Sequence, residues 1–359
     1  MNSLRPCINI KIILACIFIM TTAMADSISP HQKKNQLSIY GAADLSEIKP
    51  LLDDFQKHNP TININYREFS SNLLEQYIRE TQSAQPDITI SSVMEQQLRL
   101  VNDGFALPHQ VKMQVNNNIG VIPPWSQWRD ELFGFSYEPA VIVFNQAFLK
   151  EKNVPLNRVE LINFIRHHSD QLMGKIGLYD IRSVGIGYLL WAFERQQTTN
   201  YGQFLELFNR HNARTFNSSS AMLEALHKNE IAIAYNILGS YARSWQRRHQ
   251  DIVIVAADDY TPVIIRSAFI NKTTKNPEDA KKFIDYLLSY SGQTLMAEQT
   301  SMPPIRADIK GSNSAAMMRK QLTGQLKPLP LDISLLVFSD QSKKELVITE
   351  WENALKSYE

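Results

Sequence analysis

Four short segments of this 359-residue chain are made of small or polar residues suited to gripping an anion. They are Gly41-Ala42-Ala43, Ser91-Ser92, Asp180-Ile181-Arg182-Ser183 and Asn236-Ile237-Leu238-Gly239-Ser240. Small side chains let a ligand approach the backbone, serine hydroxyls donate, and the free amides and dipole of a helix start favour negative charge. Arg182 offers a planar fork for a carboxylate or phosphate, and Arg266 is a second candidate cation. Tyr137, Glu138 and Tyr260 lie beside extended segments and complete the candidate set. Motifs for covalent, zinc-dependent or nucleotide chemistry are missing: there is no Gly-x-Ser-x-Gly elbow, no HExxH and no phosphate-cradling Gly-Lys-Ser/Thr. The eight histidines are scattered, and the pair His167-His168 has no third ligand at metal-binding spacing. This inventory describes binding rather than catalysis, with neither cofactor nor metal expected.

The elements that must position these segments alternate. Leu37-Ser38-Ile39-Tyr40 reads as a strand. Asp44 with Glu47 forms a capping box for a helix whose Leu45, Ile48, Leu51, Leu52 and Phe55 recur at helical spacing. Ile62, Ile64 and Tyr66 alternate as a strand, Leu73 to Ala84 reads as a helix, Asp87 to Ile90 as a strand, and Met94 to Asp103 as a helix stopped by Gly104. Val141 to Asn145 is an extended apolar run that Pro139 sets off, which suits a crossing between two lobes. Beyond it come strands at Lys175–Tyr179, Ile231–Tyr235 and Val263–Ile270. Helices are expected over Tyr188–Gln196, Ser219–Lys228, Ser240–Arg248 with Ser240 as cap, and Asn276–Leu288. Strand-helix alternation predicts parallel sheets covered by helices. In such sheets, ligands sit beyond the carboxyl ends of the strands, where the four segments fall.

The first 25 residues read as an export signal: cationic Arg5 and Lys11, an apolar run from Ile12 to Met20, then Ala23-Met24-Ala25. Cleavage after Ala25 removes both cysteines, Cys7 and Cys16, and with them disulfides, thiolate metal sites and a cysteine nucleophile. Ile13-Leu14-Ala15-Cys16 resembles a lipoprotein box, but Lys11 stands close before it and Ile17 to Met20 would remain as an apolar stretch, so the free form is favoured. The mature chain carries 35 Lys and Arg against 36 Asp and Glu, which gives no electrostatic warrant for nucleic acid or a polybasic membrane contact. Residues 26–36 read as a polar tail. A soluble, monomeric, periplasmic protein is expected.

Several segments in order resemble the extracellular solute-binding proteins of ABC importers. They are Tyr137-Glu138-Pro139 before Ile142–Asn145, Gly174–Gly177 before Tyr179-Asp180, Asp259-Tyr260-Thr261 before Ser267–Ile270, the helix Pro277–Leu288, and Met302-Pro303-Pro304-Ile305-Arg306. The resemblance is to the branch with ferric-iron binders, aminoethylphosphonate binders and the phosphoglycerate transport regulatory protein, and runs from about Leu37 to the C-terminus. It implies a two-lobed α/β fold of periplasmic-binding-protein type II, each lobe a mainly parallel sheet flanked by helices, with the ligand cleft between. The crossings it implies lie near Tyr137–Pro139, Thr261–Ile264 and Pro304–Arg306. One lobe would then hold residues 37–138 and 264–304, the other 139–263 and 305–359. Iron binders carry adjacent tyrosines where this chain has Gly239-Ser240-Tyr241. With one phenolate lost from a hard oxygen set, a phosphorylated or carboxylated small molecule is favoured over ferric ion. The implied partners are an inner-membrane ABC permease or, alternatively, a membrane histidine kinase for which the protein acts as sensor. An exported enzyme is the remote alternative.

Overall fold

The computed structural model describes residues 35–81, 85–111, 121–321 and 324–355; the expected export signal, both cysteines and the expected tail up to residue 34 lie outside this set. The first strand starts two residues earlier than expected, with Asn35 and Gln36 paired to Ile62 and Asn63.

The chain opens with β1 (Asn35–Gly41), α1 (Leu45–His58), β2 (Ile62–Glu68), α2 (Ser71–Glu80), β3 (Ile88–Ser91), α3 (Met94–Asn102), β4 (Gln127–Trp128) and β5 (Leu132–Gly134). It then enters a second region: β6 (Glu138–Asn145), α4 (Gln146–Leu149), α5 (Arg158–His167), α6 (Ser169–Leu172), β7 (Ile176–Tyr179), α7 (Gly185–Gln197), α8 (Tyr201–Arg210), β8 (Arg214–Phe216), α9 (Ser219–His227), β9 (Ile233–Leu238), α10 (Gly239–Arg248), β10 (Ile252–Val255) and β11 (Thr261–Ile264). The remainder is β12 (Ser267–Ile270), α11 (Pro277–Leu288), α12 (Tyr290–Gln299), α13 (Ala315–Gln321), β13 (Leu326–Pro328), α14 (Leu336–Ser339) and α15 (Gln341–Leu355).

Two sheets result, ordered β2-β1-β3-β12-β5-β4 and β13-β11-β6-β9-β7-β8, with β10 beside β6. Strands linked by a covering helix, such as β1 with β2 and β3 or β7 with β9, pair in parallel. Two strands that enter a sheet from the other region pair antiparallel, β12 with β3 and β6 with β9, whereas β13 joins β11 in parallel. Pairing is therefore more mixed than the expected mainly parallel sheets.

The segment Val263–Ile270, expected as one strand, is two: β11 lies in the second sheet and β12 in the first, with Ile265 and Arg266 between them. The last crossing also moves. Ile305, Ala315 and Met318 are buried in the core of the first sheet with Leu37, Ile88 and Phe283, so the chain returns to the second sheet only at β13, not near Pro304–Arg306. The expected capping box fails as well. Asp44 stands at the helix boundary without capping it.

A second core joins the apolar faces of α2 and α3 to the second sheet and to the C-terminal segment. Within it, Arg158 of α5 is buried against Glu194 of α7, donates 2.8 and 2.7 Å bonds to Asp259 and the Tyr260 carbonyl, and lies 3.5 Å from the Tyr260 ring centroid. The hydroxyls of Tyr235 and Tyr260 donate to the same Glu194 oxygen at 2.8 and 2.9 Å. Removing one partner strands the other charge in a low-dielectric interior. Arg158→Ala should therefore lower unfolding free energy by about 3–5 kcal/mol in urea titrations; an unchanged midpoint would show that the network adds nothing.

Candidate functional site

Six helix starts converge on one cavity of about 130 Å³. The first-sheet side gives Ala42 and Asp44 before α1, Phe69 with Ser70 and Ser71 at α2, and Ser92 and Val93 before α3. The second-sheet side gives Ser183 and Val184 before α7, Asn217 to Ser219 at α9, and Leu238 and Tyr241 at α10. Arg266, from the link between β11 and β12, also lines it. Three of the starts have local side-chain support: Ser70 and Ser218 accept from the amides of Leu73 and Ala221, and Ser91 accepts from that of Val93 at 3.1 Å.

Arg266 is wholly buried, with Nε and Nη2 donating to the two carboxylate oxygens of Glu138 at 3.1 and 3.3 Å. Glu138 also accepts from Ser136 at 2.8 Å and from Ser240. Burial works to raise the Glu138 carboxyl; the Arg266 guanidinium and the two hydroxyls overcome it, holding the group below its ordinary value. The remaining guanidinium nitrogen, Nη1, is buried without a hydrogen-bond partner.

Contacts cross the cavity directly. Asp44, free of helix capping, accepts from Tyr241 at 3.1 Å and from Ser220 at 3.0 Å. Burial pushes the Tyr241 phenol well up, so it remains a neutral donor. Asn72 of α2 donates to the Ser183 carbonyl at 2.8 Å and accepts from Gln96 of α3 at 2.7 Å. Gly185 permits this approach, because a Cβ there would come within 3.0–3.1 Å of Val93, Gln96 and Ser71.

Of the sequence candidates, Ala42, Ser92, Ser183 and Arg266 line the cavity. Glu138 and Ser240 lie behind Arg266, and Ser240 is spent on Glu138 rather than on capping α10. Ser91 and Ala43 support from beneath; the Ala43 carbonyl accepts from Tyr66 at 2.6 Å. Gly41 makes room for that tyrosine, since a Cβ there would fall 2.3 Å from its hydroxyl oxygen.

The other candidates lie elsewhere. Arg182 donates to Asp180 through Nε and Nη2, both at 2.8 Å, and borders a separate surface hollow with Trp351 and Glu352. Asn236 sits at φ +60° where β9 gains a residue against β6, so its contribution is a backbone bulge. Gly239 lies against Pro139, and Tyr137 packs near Trp125 with Arg319 over its ring. Tyr260 belongs to the Arg158 network. Sequence reading missed Asp44, Ser70, Ser71, Asn217, Ser218, Ser219 and Tyr241. The runs Ser70-Ser71 and Asn217-Ser218-Ser219-Ser220 were visible as cap residues, but nothing local marked them as facing one another.

Two sheets, crossing strands and a cavity ringed by helix starts define a solute-binding fold. A family model for bacterial extracellular solute-binding proteins matches residues 37–299, and the chain belongs to that family. A substrate-binding protein of an ABC transporter from Agrobacterium tumefaciens is 30% identical, with TM-score 0.85 over 91% of this chain and 96% of that one. The periplasmic binding protein P5PA shares 19% identity at TM-score 0.72, covering 90% of this chain and 100% of its own. AfuA from Actinobacillus pleuropneumoniae, solved with fructose-6-phosphate bound, shares 15% at TM-score 0.69, covering 90% and 99%. Iron-bound HitA from Pseudomonas aeruginosa shares 14% at TM-score 0.69, covering 88% and 99%. These last three share the fold. No curated protein matches the sequence. The family implies export and solute binding rather than catalysis.

The buried ion pair at the crossings is testable. Glu138→Ala should destabilise by about 3–5 kcal/mol and Ser240→Ala by about 1–3 kcal/mol in chemical denaturation. A Glu138→Ala protein within 0.5 kcal/mol of wild type, the scatter of ordinary surface changes, would remove the pair from the structural core.

Proposed function

We propose that the protein captures a small phosphorylated or carboxylated anion in this cavity by closure of two lobes, and hands it to an inner-membrane ABC permease. The lobes are the first sheet with its helices, including residues 305–321, and the second sheet with its own. The observation that carries the ligand class is Arg266: a fully buried guanidinium lining the cavity, with Nη1 unpartnered where six helix starts meet. An unpaired buried donor is costly, and an anionic oxygen satisfies it with a charge-assisted bond. Serine hydroxyls and the aligned helix dipoles add donors of the same polarity.

The ferric reading has less support. Among the described residues no group of three or more His, Cys, Asp or Glu converges to hold a metal. Asp44 and Tyr241 are hard oxygen donors, but they bond to each other, and Tyr179, the second phenol on the cavity, is paired with Ser219; two engaged phenols with one carboxylate fall short of the several free anionic oxygens that ferric ion requires. The sensor reading uses the same closure and differs only in the membrane partner. Recovery of a histidine kinase and no permease on the protein from solubilised membranes would favour it.

Thermal unfolding in the presence of inorganic phosphate, a sugar phosphate, an alkylphosphonate and a dicarboxylate should show stabilisation by at least one of them, about 2.7 kcal/mol at a hundredfold excess over Kd. A shift with ferric citrate alone would overturn the ligand class. Arg182→Ala should leave the affinity for the stabilising anion within about twofold, because its guanidinium is spent on Asp180 outside the cavity. A tenfold loss in isothermal titration would put Arg182 back in the site.

A further inference from the structure

Glu95 stands on the first turn of α3, the helix whose start at Ser92 and Val93 lines the cavity. Only 2% of it is exposed, and neither carboxyl oxygen has a hydrogen-bond partner. A carboxylate in that position would lack both water and a counter-charge in contact. The charged groups around it are already engaged or stand off. On α2, Glu75 takes Arg79 and Arg99, which removes the arginine that α3 itself could offer. Tyr188 of α7 faces it and donates to the Phe338 carbonyl of α14 at 2.7 Å, with Asp340 acting on that phenol. From α15, Lys344 acts on Glu95 from a distance, its ammonium lying 5.1 Å from the centroid of the Tyr188 ring.

The place of Glu95 is as telling as its isolation. α3 covers the first sheet, whereas α7 belongs with the second, and their apolar faces share one core with α14. Glu95 is thus buried between elements of both sheets.

We propose that Glu95 links lobe closure to proton uptake: the closed form holds the carboxyl neutral, and opening returns it to water, where it ionises. This rests on the lobe closure proposed above and adds a proton to it. Burial lifts the Glu95 carboxyl from 4.5 to about 8 in this structure, against the lowering influence of its own backbone amide, Lys344 and Arg99 and with Glu75 raising it further. The sign follows from linkage. A group whose value is raised on closing favours the closed form below its open-form value, and that advantage is lost as pH climbs to the closed-form value. The closing equilibrium should fall about tenfold per pH unit from near 4.5 to about 8, then level off. Ligand affinity, scaled by the closed fraction, should fall with it. An exported protein, exposed to outside pH, would hold solute more tightly in acid.

The test uses the full chain labelled with ¹³C at glutamate side-chain carboxyls, as wild type and as Glu95→Gln, which keeps the shape of the neutral carboxyl. Carbon NMR between pH 4 and 9 should show one glutamate titrating far above the rest and absent from Glu95→Gln. Small-angle scattering over the same range should show the closed fraction of wild type falling with pH and that of Glu95→Gln holding steady. Glu95 titrating with the other glutamates, or the same pH response in both proteins, overturns the proton link while leaving closure intact. Scattering that is unchanged at every pH and after loading with the stabilising anion would sink closure itself, and the link with it. Should Glu95→Gln fail to fold, the wild-type titration decides: a glutamate near 8 supports the inference, and its absence ends it.

Discussion

The pairing of Arg266 with Glu138 is the constraint on which the molecule's organisation rests. Arg266 lies in the two-residue link between β11 and β12, and Glu138 is the first residue of β6, so the pair ties two chain crossings together. Ser136 binds Glu138 from one side and Ser240 of α10 from the other, while the Arg266 amide donates to Ser136 at 2.8 Å. Two charges removed from water are tolerated because each is met by the other and by fixed hydroxyls. Only one guanidinium nitrogen is left over, and it belongs to a side chain lining the cavity.

Around that floor, the serines at the helix starts have two duties. Ser70 and Ser218 cap their own helices and line the cavity, so the hydroxyls that stabilise these helix starts also face it. Asp44 shows the opposite choice. It gives up the cap to reach Tyr241 and Ser220, so a residue that local rules assign to helix initiation instead joins the two sides of the cleft. These bonds join residues of the two sheets directly across the cavity.

Burial acts on titratable groups here with different outcomes. Glu138 is held ionised because an arginine and two hydroxyls answer it; Glu95, equally buried, has no side-chain hydrogen-bond partner and only distant cations, and is pushed toward neutrality. Glu194 shows a third arrangement, with Arg158 and two phenols closing a network remote from the cavity. A carboxylate's environment, and not its depth, decides whether it stabilises, binds or switches.

Much of the fold was legible in the sequence, since apolar periodicity and cap residues are local signals. The helix Pro277–Leu288 has the expected bounds, with proline at its first turn and Ala280, Phe283, Ile284 and Leu287 facing the core. What sequence could not rank was two arginines of equal chemistry. Arg182 is captured by Asp180 two residues away, whereas Arg266 meets a carboxylate 128 positions distant. Likewise, the split of Val263–Ile270 into strands of two sheets leaves no mark in its apolar pattern. Sequence by itself determined the alternating elements, the serine-rich helix starts and the lack of catalytic motifs, because each depends on neighbours a few residues apart. Only tertiary structure decided which starts face one another, which arginine keeps a free donor and which buried carboxyl goes unpaired, because those depend on contacts between residues far apart in the chain.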